Sequence, residues 1–176
     1  MAFEKTIEKY LKNEIKLNDA VKNLQSMSFL KENGIYIVRT KDVNIEFSNT
    51  TTTAIKENKD GDNLIYFEGH PKLKEIGCET LKEKFDKGDR KTLYIGKAEG
   101  NDGLEQRVKK LLEYSISNYK KHEGGRALWQ IEDWQSLECL YLYYCEVEKA
   151  KELEKELLGA YKNEYGVFPV ANWKKG

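Results

Sequence analysis

Neither sign of charge is in excess in this sequence, where 30 Lys and Arg stand against 30 Asp and Glu. A net charge of zero excludes a surface that binds polyanions all round, so any grip on nucleic acid must come from a local patch. No apolar run reaches the roughly 18 residues that a membrane-spanning helix needs, and no basic-then-apolar leader follows Met1. A cytoplasmic chain with no membrane partner is therefore expected. The three cysteines, Cys78, Cys139 and Cys145, have no metal-ligand spacing, and their odd number argues against a disulfide framework. Cys139 and Cys145 fall in an apolar run and are expected as reduced core residues. No zinc-finger or helix-turn-helix pattern is present, so neither of these modules is expected.

What is present is enough chain, 176 residues, for one domain with a real core. Its charge is unevenly spread: residues 90–126 hold nine Lys and Arg against five acidic residues, and residues 132–156 hold three against eight. The basic stretch is compatible with a local phosphate-binding face, a pattern that mixed helix surfaces share.

Phe3, Ile7, Tyr10, Leu11, Ile15, Leu17, Val21 and Leu24 recur at spacings of mainly three and four. This predicts an amphipathic helix over residues 3–24, with a candidate break near Asn18-Asp19, packed on the domain. The β-branched and aromatic run at 34–38 predicts a strand, Thr92–Ile95 a second, and Leu137–Cys145 a third. Tyr36 and Tyr94 are 58 positions apart, and the stretch of about 41–89 between the strands reads as an insertion. It holds a polar run at Asn49–Thr53, a short strand candidate at Leu64–Phe67, and a helix from Pro71 to about Phe85. The cost of a long surface insertion grows slowly with length, so the flanking strands are still expected as neighbours. Leu104, Val108, Leu111, Leu112 and Ser115 keep helical spacing after start signals at Asn101-Asp102-Gly103. Residues 148–164 make a last helix, with Leu153, Leu157, Leu158 and Tyr161 on one face and Gly166 as a left-handed cap. These elements give an α+β class, with residues 1–30 as a helical extension and 31–176 as the main domain.

Five short pieces follow one another in order: GIYIV at 34–38, YIGKA at 94–98, LEQRV at 104–108, Glu154-x-x-Leu157-Leu158, and Pro169-x-x-Asn172. The series resembles the GIY-YIG nuclease superfamily over roughly residues 34–172. With the strands above, the expected architecture is a small central three-stranded antiparallel sheet flanked by helices. The resemblance implies a small stand-alone endonuclease that hydrolyses DNA phosphodiester bonds with Mg2+ or Mn2+. It assigns the metal to Glu154, since one hard carboxylate completed by waters and phosphate oxygens suits these ions. It places Tyr36 near the attacking water as acceptor of its proton. An ordinary phenol titrates near 10, so adjacent positive charge must favour the phenolate, and Lys97 is the expected source. Tyr94 would contact the phosphate or the water, Arg107 would hold two phosphate oxygens with its planar fork, and Asn172 would orient the site by hydrogen bonds.

The sequence departs from this pattern at Leu111, where several relatives carry His or Tyr one turn after the arginine. The stretch His122-Glu-Gly-Gly-Arg126, followed by Trp129-Gln130, is similar to one in small stand-alone relatives. Arg126, Lys109, Lys110 and His122 are candidate DNA contacts, and Trp129 is expected in the core. Without the resemblance, Tyr36 and Tyr94 are two of eleven tyrosines, and Glu154 shares its helix with Glu148, Glu152 and Glu156. At 100° per residue those three fall on other faces, so Glu154 alone is expected to face the tyrosines. Two further readings stay open: a nucleic-acid-binding module of the same fold without turnover, and a structural or protein-interaction domain.

Overall fold

The N-terminal apolar stripe does not form one helix. In the computed structural model, which describes residues 2–24, 31–56, 64–68, 75–116 and 125–173, α1 (Phe3–Ile7) runs into a 3-10 turn at Glu8–Tyr10 and stops. Asn13 turns the chain with φ 51°, Ile15–Lys16 forms strand β1, and α2 (Leu17–Lys22) follows. The expected 3–24 helix is corrected accordingly. Ile15 and Lys16 pair with Leu142 and Tyr141, and this long-range ladder overrides the local helical period. The remaining elements are β2 (Gly34–Thr40), β3 (Thr52–Lys56), β4 (Leu64–Glu68), α3 (Cys78–Lys87), β5 (Thr92–Ala98), α4 (Gly103–Glu113), β6 (Leu140–Glu146) and α5 (Ala150–Tyr165).

The α+β class holds, with a main sheet of four strands rather than three, in the order β1-β6-β2-β5, every pair antiparallel. β2 and β5 are neighbours across the insertion, with Tyr36 opposite Gly96 and Val38 opposite Tyr94. The insertion contributes a separate β3–β4 pair. Its helix begins at Cys78, although a start at Pro71 was expected; Pro71 itself lies outside the described residues, and Glu75–Gly77 are not helical. Backbone N–H groups just before and at the start of α3 are taken by distant side chains: Ile76 donates to Gln130 Oε1 at 3.0 Å and Cys78 to Asn49 Oδ1 at 2.8 Å.

All seven residues of β2 are buried, as befits a strand covered on both faces. Its alternation sends Ile35 and Ile37 into a core with Phe3, Ile7, Leu153, Leu157, Leu158 and Tyr161, between the sheet and α1 with α5. Tyr36 and Val38 join the other core, with Leu104, Val108, Leu111 and Leu112 of α4. Arg39 ties α1 down through Glu4 at 2.8 Å, with Asp89 at 3.6 Å. The apolar N-terminal residues thus pack on the domain, as expected, in two pieces instead of one.

Gly34 is required by close approach: a Cβ there would overlap the Cys145 carbonyl oxygen and the Leu104 side chain. At Gly159, inside α5, an added Cβ would meet nothing within 4 Å. Gly34→Ala is expected to lower stability by about 1–3 kcal/mol through overpacking, whereas Gly159→Ala should raise it by up to ~1 kcal/mol through helix propensity. The two shifts of opposite sign are read from urea midpoints.

Candidate functional site

Tyr36 and Tyr94 are diagonal neighbours on one face of the β2–β5 ladder, with ring centroids 5.8 Å apart. The bare backbone at Gly96 makes this possible, since a Cβ there would lie 2.5 Å from Tyr36 Cζ. The two hydroxyls interact through a hydrogen bond that lowers the Tyr36 pKa and raises that of Tyr94. Burial dominates at both, taking Tyr36 up to about 12 and Tyr94 well above its ordinary value. Arg107, half-buried on α4, lowers both and also lowers Glu154.

Glu154 is 7% exposed, while Glu152 and Glu156 of the same helix are exposed, as the helical phase requires; Glu148, expected on this helix, lies before its start at Ala150 and is exposed too. Burial raises the Glu154 pKa; Lys97 and Arg107 oppose that, and Glu99 adds to it. Its Oε2 is buried without a hydrogen-bond partner, with the Lys97 ammonium at 3.6 Å. A buried hard oxygen with unused acceptor capacity fits a divalent cation, although no group of three or more His, Cys, Asp or Glu gathers around one point among the described residues.

The expected effect of Lys97 on Tyr36 is corrected. Lys97 stands opposite Ile35, one residue out of phase with Gly96, so its side chain leaves the sheet on the other face and pairs with Glu154. The positive charge felt by Tyr36 comes from Arg107, and it does not overcome burial.

Asn172 is buried and grips β5 through both amide atoms: Ile95 N–H donates to Oδ1 at 2.9 Å and Nδ2 donates to the Ile95 carbonyl at 2.8 Å. Ala171 N–H adds a bond to the Leu93 carbonyl. Asn172 therefore orients the strand that carries Tyr94. Of the other candidates, Lys109 pairs with Glu105 at 2.6 Å within α4, Lys110 is half-buried, and Arg126 opens a 3-10 helix with its Nε buried and without a partner. His122 lies outside the described residues. Trp129 is fully buried against Trp134, and Leu111 is fully buried too. A polar cleft of about 270 Å³ lined by Lys31, Glu32, Asn33, Gly100, Glu146 and Glu148 contains none of the six motif residues.

Sequence reasoning missed two polar clamps. Gln130 joins the insertion to the domain, accepting from Ile76 N–H and donating to the Ser48 and Ile76 carbonyls. Lys84 on α3 donates to the carbonyls of Val170 at 2.9 Å and Asn172 at 2.7 Å. Its position three residues after buried Leu81 and one before buried Phe85 puts it on the flank of the apolar stripe, which is the signal that was there to be read.

Burial also raises the pKa values of Tyr143, Tyr161 and Tyr165, the last to about 12. A group whose pKa is raised on folding contributes stability that is fully present below its unfolded value, near 10 for tyrosine, and lost as pH climbs to its folded value. These tyrosines therefore add no slope to the urea midpoint below about pH 10 and make it fall as pH approaches the Tyr36 value of about 12. Phenolate absorbance should appear together with the unfolding signal; phenolate forming fully in a still-folded chain would contradict the burial of these rings.

Among the described residues no helix is long and apolar enough to cross a membrane, and Cys78, Cys139 and Cys145 are free. The chain matches no family model, no curated protein and no solved structure.

Proposed function

We propose that this chain is a small GIY-YIG-type endonuclease that hydrolyses DNA phosphodiester bonds with Mg2+ or Mn2+. The observation that carries the reading is that Tyr36 and Tyr94, the tyrosines of the two tripeptides, lie side by side on β2 and β5 with ring centroids 5.8 Å apart; the charges of Arg107 and Glu154, from α4 and α5, both act on the pair. Glu154 would hold the cation, which when bound supplies positive charge for the phosphate and the leaving oxygen. Arg107 offers its fork to two phosphate oxygens. Tyr36 Oη, beside the Tyr94 hydroxyl, orients the attacking water. With its pKa near 12 it is a neutral phenol at neutral pH, so proton transfer to Tyr36 Oη becomes easier with rising pH. Free thiols suit a reducing cytoplasmic setting.

The test is supercoiled plasmid incubated with Mg2+, with Mn2+ and with EDTA. Nicked and linear products are expected with either ion, at a rate that rises toward alkaline pH, and none in EDTA. A second reading, a nucleic-acid-binding module without turnover, is favoured by the high Tyr36 pKa and by Leu111, whose side chain is core. Binding of DNA with no cleavage in either ion would decide for it.

A further inference from the structure

We infer that Trp173 is a stacking platform for an unpaired nucleobase at the outer edge of β5, the strand that carries Tyr94, held in position by Lys84 of the insertion; this rests on the nucleic-acid reading above. Trp173 is 38% exposed and, with Val43, is one of the two large apolar side chains exposed among the described residues. It directly follows Asn172, whose amide grips Ile95 between Tyr94 and Gly96, so the indole is fixed next to the strand that carries the candidate site.

Lys84 fixes it from the other side. Its ammonium bonds the Val170 and Asn172 carbonyls and stands 3.8 Å from the centre of the indole ring. The segment is thus clamped at β5 and at α3, which leaves little conformational freedom to lose on binding. Burial brings the Lys84 pKa down to about 8, with no acidic group acting on it. A cation without an acid partner among the described residues, next to a held and partly open aromatic ring, matches the way single strands are bound, with a base on the ring and the backbone in positive potential. A paired base is already stacked on both faces inside its duplex, so the ring selects for a base that is out of the helix. The implied substrate class is a single strand, a branch or a frayed end. The insertion thereby acquires a role, since it carries the lysine that holds the platform.

The experiment uses the full chain in EDTA, so that no strand is cut, and a short fluorescein-labelled oligothymidylate. Trp129 and Trp134 are fully buried, so quenching of tryptophan emission by the strand reports Trp173. Emission should fall with oligothymidylate and stay nearly constant with a blunt duplex of equal length. By anisotropy, Trp173→Leu should raise the Kd for the single strand by about tenfold, the loss of one stacked base. Trp173→Phe should recover part of that loss. Lys84→Met should weaken binding as Trp173→Leu does, and Lys84→Arg should restore part of it, which a merely destabilised fold would not do. Single strand bound without quenching, or bound by Trp173→Leu with wild-type Kd, overturns this inference and leaves the nucleic-acid reading standing. Failure to bind the single strand in EDTA overturns this inference, and failure to bind any strand with Mg2+ or Mn2+ as well overturns both.

Discussion

Glu154→Gln is expected to cut supercoiled plasmid about a thousandfold more slowly than wild type, a loss in line with removing one preorganised charge from a reaction centre. The substitution keeps the size of a side chain that is 7% exposed and removes a charge that burial already disfavours, so the fold should survive with an unchanged or higher urea midpoint. Glu152→Gln and Glu156→Gln alter exposed positions on the same helix and should leave cleavage within the range of wild type. The comparison separates a site carboxylate from the general acidity of α5. Wild-type cleavage by Glu154→Gln would end the metal-dependent reading, because no other carboxylate of the helix is placed to substitute.

Arg107→Ala should also lower cleavage by about a thousandfold, the scale on which arginines stabilise phosphoryl transition states. The more informative variant is Arg107→Lys. It keeps the charge that lowers the pKa values of Tyr36, Tyr94 and Glu154, but loses the planar two-pronged donor. Recovery of less than about tenfold over the alanine variant is expected if bidentate contact with the phosphate is what matters. Full recovery by lysine would mean that Arg107 acts only as a point charge on the tyrosine pair. The shift in the alkaline limb of the pH profile distinguishes these, since lysine should leave it in place and alanine should move it upward.

The elements legible in the sequence were those whose pattern is local. The β-branched run of β2, the apolar face of α5 and the left-handed cap at Gly166, with φ 76°, all depend on residues within a few positions of each other. The phase of α5 was enough to separate buried Glu154 from its exposed neighbours. What escaped was set by distant partners. Residues 15–16 follow a helical rhythm and become a strand because residues 141–142 lie alongside. The start of α3 depends on Asn49 and Gln130, and the holding of Asn172 on Lys84, none of them near in sequence. The misassigned partner of Lys97 is different in kind. Strand alternation alone sets Lys97 out of phase with Tyr94. That its side chain leaves the face carrying the tyrosines could therefore have been read from the tripeptide's own period of two, whereas its pairing with Glu154 could not.

β5 is the outermost strand of the main sheet, and its outward-facing backbone groups at Leu93 and Ile95 are occupied by Ala171 and by the two ends of one asparagine amide. A side chain here imitates a neighbouring strand for a single residue and then ends, offering no continuing ladder of its own. That is an economical guard against self-association: an open row of donors and acceptors would template the addition of another copy's strand, whereas a plugged one cannot propagate. The same few residues that steady Tyr94 thereby also close this edge of the sheet, and a lesion at Asn172 would be felt in solubility.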